Sequence, residues 1–206
     1  MRFKKVAFYT LGCKVNQYET ESLKKQFVDN GFETAEFEEY ADIYVVNSCT
    51  VTSIADKKTR NMLRRAKKLN EDSVVIATGC YAQTNGEELS KIEEIDYVVG
   101  NTDKNAIFNL ITKIEREETL PKLIVKNIFD EKIYEEIEFS TLREMSRAYI
   151  KIQDGCNNFC SYCKIPFARG GNRSRKLNSI LEEVETLAKD GFKEIILIGI
   201  NLGAYG

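Results

Sequence analysis

A chain of 206 residues with 43% hydrophobic content suffices for one large domain or two modest ones, burying roughly 70% of the unfolded surface. Its 30 basic and 32 acidic residues leave a net charge of −2, so overall charge does not announce a nucleic-acid partner, although a local patch still could serve one. The absence of histidine excludes an imidazole metal ligand, His-based acid–base catalysis and a Cys–His nucleophile pair.

The opening MRFKKVAFYTLG has no long apolar core and no small-residue cleavage site, which argues against a signal peptide. No apolar run approaches the ~18 residues of a membrane span. The expectation is a soluble, cytoplasmic protein with no membrane partner. In a reducing compartment, six cysteines are more often metal ligands or catalytic thiols than disulfides.

Along the chain, Lys5 to Gly12 reads as a buried strand. A helix follows from about Asn16, with Leu23 and Phe27 on one face and Asn30-Gly31 as its C-terminal cap. Asp42 to Ser48 is a second buried strand and Ser53 to Leu69 a helix. Ser73 to Gly79 and Tyr97 to Asn101 read as further strands, with helical turns over Asn85 to Ile92 and Asp103 to Ile114. This alternation implies an α/β fold: an open, mostly parallel sheet flanked by helices over residues 1–114.

Residues 115–146 are charged, contain Pro121 and short extended pieces such as LIVKNIF, and read as a connector with irregular hairpins. A second α/β unit spans 147–206. It comprises the strand RAYIKIQDG, a cysteine loop, a helix from about Asn178 to Asp190 and the strand FKEIILIGIN. Ser179 and Glu182 suggest a capping box, with Ile180, Val184, Leu187 and Ala188 buried. One helix and two parallel strands do not make a self-sufficient layer; they read as the opening βαβ unit of something larger.

Two cysteine sets stand out. Cys156, Cys160 and Cys163 follow a C-x₃-C-x₂-C spacing and gather three thiolates in one short loop. Iron–sulfur clusters normally take four cysteines, so three leave one iron open to a substrate or cofactor. A structural zinc site is the alternative, but zinc usually takes four ligands and this loop supplies three. Cys13, Cys49 and Cys80 each follow a predicted strand. Loops after parallel strands converge on one sheet edge, so these three can meet in space although far apart in sequence. The alternative is three inert buried thiols. Basic residues also cluster, in the helix carrying Lys57, Lys58, Arg60, Arg64, Arg65, Lys67 and Lys68 and in the run Arg169, Arg173, Arg175 and Lys176. The helix alone reads as a solvated amphipathic face. Together, beside two cluster loops, the two elements also suit a polyanionic substrate.

GCNNFCSYCKIPFARG followed by RSR, with LGCKVNQYE, VNSCTVT and ATGCYAQ, resembles the radical S-adenosylmethionine methylthiotransferase family over nearly the whole chain. GCKVNQYE and GINLGAYG are most similar to its MtaB-type branch, whose members methylthiolate threonylcarbamoyladenosine beside the tRNA anticodon. Other branches act on isopentenyladenosine in tRNA or on a ribosomal-protein aspartate. A non-catalytic iron–sulfur or zinc binding module is the rival of another class.

The resemblance implies that Cys156, Cys160 and Cys163 hold a 4Fe–4S cluster whose open iron is chelated by S-adenosylmethionine, with Tyr162 packing on the cofactor's adenine. It implies that a deoxyadenosyl radical then removes hydrogen from carbon 2 of the target adenine. Cys13, Cys49 and Cys80 would hold a second 4Fe–4S cluster carrying the sulfur to be transferred. Asn16 and Arg175 would be polar neighbours of the clusters. The partners implied are tRNA and an electron donor such as flavodoxin or ferredoxin. Family members continue through further βα units of a partial (β/α) barrel, of which residues 147–206 would be the opening βαβ unit, and through an RNA-binding β-barrel, so the expectation is a fragment that does not turn over tRNA alone.

Overall fold

The computed structural model describes residues 3–102, 104, 106–136 and 147–206. Four apolar segments build the centre of the first unit: β1 (Lys5–Thr10), β3 (Ile43–Ser48), β4 (Val74–Gly79) and β5 (Tyr97–Val99). β3 and β4 are buried at every position. Such continuous apolar runs are what a parallel sheet covered on both faces requires. Alternate residues serve opposite layers. Ile43 and Val45 join Val6 and Ile76 under α1 (Lys14–Asp29) and α5 (Ala106–Glu115). Tyr44 and Val46 join Ala7, Val75 and Ala77 under α2 (Ser53–Leu69).

One strand was not expected, and one piece expected to be extended takes an unexpected place in the sheet. β2 (Glu33–Ala35) pairs parallel with β1 at one edge, and β6 (Leu123–Ile124), within the segment read as connector, pairs parallel with β5 at the other. The six-stranded order is therefore β2-β1-β3-β4-β5-β6, all parallel. Its direction reverses between β1 and β3. In open α/β sheets the crevice at that switch point, outside the strand C-termini, is where ligands bind.

Most helix bounds fall where the pattern puts them. α2 matches, with Thr52 accepting a hydrogen bond from the Ala55 N–H at its N-cap. α1 ends at Asn30, where the Gly31 N–H reaches the Val28 carbonyl and the Phe32 N–H the Phe27 carbonyl. A short helix that the pattern does not announce, α3 (Cys80–Thr84), starts at the cysteine itself, and the turn expected over Asn85 to Ile92 follows as α4 (Gly86–Ser90). Asp103, where the next helix was expected to begin, and residues 137–146 of the expected connector lie outside the described residues.

In the second unit β7 (Arg147–Lys151) and β10 (Glu194–Ile198) pair in parallel, joined over α7 (Leu177–Lys189). Ala148, Ile150 and Ile195 face α7 and its Ile180 and Leu187. Tyr149, Ile196 and Ile198 face the other way, onto Val15 and Tyr18 of α1. The pair thus borrows a helix of the first unit as its second cover. The capping box does not form. Lys176 is the N-cap without a side-chain bond, and Ser179 instead engages Arg175 and Glu136. Ala188 is exposed, and buried Glu183 takes a place on the inner face. A short antiparallel pair, β8 (Gln153–Asp154) with β9 (Arg173–Ser174), closes the base of the cysteine loop. Within that loop α6 (Ile165–Arg169) follows Cys163 directly.

Candidate functional site

Cys13, Cys49 and Cys80 stand at the C-terminal ends of β1, β3 and β4, on either side of the switch point. Gly12 lets the first two loops approach: a Cβ there would lie 3.1 Å from the Cys49 Cβ. All three cysteines line one cleft of about 440 Å³. Its other wall comes from the second unit, through Ile165, Arg169 and the Leu197–Ile200 turn. Burial pushes the Cys49 thiol up, and Cys80 and Cys13 add to the rise through like-charge repulsion, against backbone hydrogen bonds from Val51 and Thr50. Three thiolates crowded in this way need positive charge between them. α1 presents its N-terminus to the same space, with Cys13 as its N-cap.

Cys156, Cys160 and Cys163 lie together in the loop between β8 and α6, half-buried, exposed and half-buried in turn. The Cys156 N–H donates to the Gly170 carbonyl at 3.0 Å and the Cys163 N–H to the Cys160 carbonyl at 2.9 Å. Tyr162 projects outward, 88% exposed. Phe159, at φ 45°, stacks on Phe129, and both meet Phe167 edge-on. All six cysteines are free. Among the described residues no three His, Cys, Asp or Glu side chains close around a point that could hold one ion. The first set rims a cleft and the second a loop, neither of them the four-ligand tetrahedron of structural zinc. Sulfur-only donors around an open space fit a larger iron–sulfur group.

The polar neighbours are mostly ones the sequence did not disclose. Asn16 is buried: its amide donates to the Leu11 and Ser48 carbonyls, pinning the ends of β1 and β3, and its oxygen accepts from Arg169 at 2.6 Å. Arg169 Nη1 also reaches Glu19 at 2.9 Å and Asp154 at 3.0 Å. Lys151 bonds the same two carboxylates at 2.8 and 2.6 Å, and Lys104 pairs with Glu19. Burial alone would raise the Glu19 carboxyl. Arg169, Lys104 and Lys151 outweigh it and hold the group well below the usual carboxylate range. Asp154 is likewise depressed, burial being outweighed by Arg169 and Lys151. Asn101 bridges the sets differently, its amide donating to the Ala168 carbonyl at 2.7 Å and lying 3.7 Å from the Cys80 sulfur.

The basic run after the second loop turns inward. Arg175 is 5% exposed and donates to Glu136 at 2.9 Å and to Glu183, which also accepts from Tyr18. Arg173 lies 3.8 Å from Asp154. Arg169 and Arg175 are buried against carboxylates and Arg173 lies close to one, so these three are committed within the fold, whereas Lys176 of the same run is exposed. On α2, Arg60, Arg64 and Lys67 meet Glu88, Glu94 and Asp96 at 3.7, 3.7 and 3.0 Å, and Arg65 pairs with Glu38. These four basic side chains of the solvated face are thus paired with carboxylates of neighbouring segments. No helix among the described residues is long and apolar enough to cross a membrane.

A flanked parallel sheet with three strand-end cysteines, followed by a βαβ unit bearing a C-x₃-C-x₂-C loop, defines an α/β protein built around two thiolate sets. Residues 5–100 match the family model described as uncharacterized protein family UPF0004, and residues 150–202 that of the radical SAM superfamily. The chain is 47% identical over 201 residues to the threonylcarbamoyladenosine tRNA methylthiotransferase MtaB of Bacillus subtilis, covering 98% of this chain and 44% of the relative. It is 45% identical to the MtaB protein of Aquifex aeolicus, covering 98% and 49%. It is 37% identical to a tRNA-2-methylthio-N(6)-dimethylallyladenosine synthase of Fusobacterium nucleatum, covering 98% and 47%. The chain belongs to the radical S-adenosylmethionine methylthiotransferase family, and it spans about half the length of the curated relatives it matches.

Proposed function

We propose that the chain contributes the two cluster sites of a tRNA methylthiotransferase that installs a 2-methylthio group on threonylcarbamoyladenosine beside the anticodon. One observation carries this reading. The three strand-end cysteines and the segment leaving the second cysteine loop form opposite walls of the same cleft. The segment that leaves the second cysteine loop thereby closes the space that the first cysteine set rims, the proximity that a two-site sulfur transfer demands.

Cys156, Cys160 and Cys163 would hold one 4Fe–4S cluster, and Cys13, Cys49 and Cys80 the other. When bound, these clusters and S-adenosylmethionine supply the electron, the radical and the sulfur. The protein's part is positioning and exclusion of water. Exposed Tyr162 offers a ring for the cofactor's adenine. Arg175 would act by bracing the second unit, since its carbonyl accepts from Tyr205 and its side chain ties the end of β9 to α7. Ile165 and Ile198 narrow the cleft with apolar surface. The electron arrives from a flavodoxin- or ferredoxin-type donor.

Nucleoside mass spectrometry of tRNA from cells lacking the gene tests the substrate. Loss of methylthiolated threonylcarbamoyladenosine alone is expected. Loss of the isopentenyl counterpart, or an unchanged tRNA profile with an unmodified ribosomal protein, would move the activity to another branch. Anaerobic reconstitution separates the enzyme from a non-catalytic module: S-adenosylmethionine should change the paramagnetic spectrum of the cluster on the Cys156 set.

A further inference from the structure

Five ionisable side chains, Glu19, Lys104, Lys151, Asp154 and Arg169, are buried in one cluster where the two units meet. Glu19 and Asn16 belong to α1, which begins beside Cys13. Asp154 lies two residues before Cys156, and Arg169 six after Cys163. The residues that leave each end of the second cysteine loop therefore close on the helix that leaves the first cysteine. Burying charge this deeply is repaid only where every member is paired, and such pairs specify geometry more than they add stability. Arg169 is the hub. Its planar fork meets both oxygens of Glu19 through separate nitrogens and reaches Asp154 and Asn16 as well, a spread of donors that a single ammonium nitrogen lacks. It also borders the cysteine cleft. One residue earlier, the Ala168 carbonyl takes the Asn101 amide that approaches the Cys80 sulfur.

We propose that Arg169 is a positioning residue that docks the segment following Cys163 onto the first cysteine set through Asn16, Glu19 and Asp154, and so fixes the separation of the two clusters. The second half of this statement rests on the two-cluster reading above; the docking does not. The association is orientational, with no bond made or broken by Arg169.

Two measurements on the full chain keep these parts distinct. Amide hydrogen exchange on cluster-free protein reads the docking. In Arg169→Met, exchange in the first turns of α1 and across β8 should rise together by roughly a hundredfold, the factor a broken buried pair implies, while α2 and β4 keep their protection. Arg169→Lys should fall between, because it restores charge without the fork. Exchange that rises everywhere would reduce Arg169 to a general stability element, and exchange that does not change would remove its role; either overturns the proposal. Magnetic coupling between the two reduced clusters reads the separation. Arg169→Met and the milder Arg169→Lys should broaden or weaken it, whereas Leu63→Ala, a core change in α2 away from the junction, should leave it as in the parent. Parent-like coupling in the arginine variants would overturn the positioning role. A parent chain that never loads two clusters would overturn the two-cluster reading and leave the exchange result to decide the docking.

Discussion

At the scale of single residues, the approach of backbone to backbone decides where the cysteines stand. Gly79 holds φ +94°, and a Cβ there would sit 2.5 Å from the Ser48 N and O and 2.4 Å from the Asn47 side-chain oxygen. The obstruction is the backbone of a central strand, which has nowhere to go. Gly12 holds φ +120°, but the nearest obstacle at 2.9 Å is the amide of Asn16, a buried side chain held by Leu11, Ser48 and Arg169 and not a strand backbone. Gly31, at φ +87°, has nothing within 4 Å. The three alanine substitutions should therefore form a graded series. Gly31→Ala should cost about 1 kcal/mol, the left-handed conformation alone. Gly12→Ala should cost more, and Gly79→Ala about 3 kcal/mol or more, because strain and overlap add. Urea unfolding of the cluster-free chain gives the order. Anaerobic iron uptake should drop most for Gly79→Ala, since Cys80 follows it directly. A flat series would show that neither glycine is needed for close approach.

At the scale of elements, the buried charge cluster makes stability pH-dependent in a direction that can be worked out. Glu19 and Asp154 are held below the carboxylate range in the folded chain, so the unfolded chain binds more protons as pH falls. Their stabilisation is complete above the unfolded pKa values of about 4.3 and 3.9 and is lost as pH falls through the folded ones. The urea midpoint should decline steadily below about pH 4.5, and Glu19→Gln, already destabilised at pH 7, should decline less steeply. An equal slope in both would place the acid sensitivity elsewhere. Much of α1 was legible, and the part that was not explains this cluster. Leu23 and Phe27 mark its inner face by period. Stepping back along the same face reaches Asn16, Glu19 and Thr20, polar residues on an apolar stripe, all buried. Periodicity predicts burial but not partners, and Lys104, Lys151, Asp154 and Arg169 carry no local signal of meeting Glu19. The short strand β2 was missed, and the extended piece that holds β6 was not assigned to the sheet, because three and two residues are too few to show alternation. The central strands, α2 and the cysteine-bearing ends were readable because a doubly covered parallel sheet leaves long apolar runs.

At the scale of the whole molecule, the two units share α1 as a common wall: one side packs on the six-stranded sheet and another on β7 and β10. Removing one cysteine set should therefore leave the fold standing, because the thiols rim a cleft and a loop and contribute little to either core. The Cys13, Cys49 and Cys80 triple alanine variant should keep the helical and strand content of the parent and lose about half of its iron and acid-labile sulfide. The Cys156, Cys160 and Cys163 variant should lose the other half, and with it the spectral response to S-adenosylmethionine. The two losses should add, since on the two-cluster reading each set would draw all its protein ligands from its own unit. Zinc shared between the sets would instead disappear wholly from either variant. If the first triple variant retains all the iron of the parent, Cys13, Cys49 and Cys80 hold no cluster. Their convergence at the switch point would then have to be explained by packing alone, although only Cys80 of the three is buried.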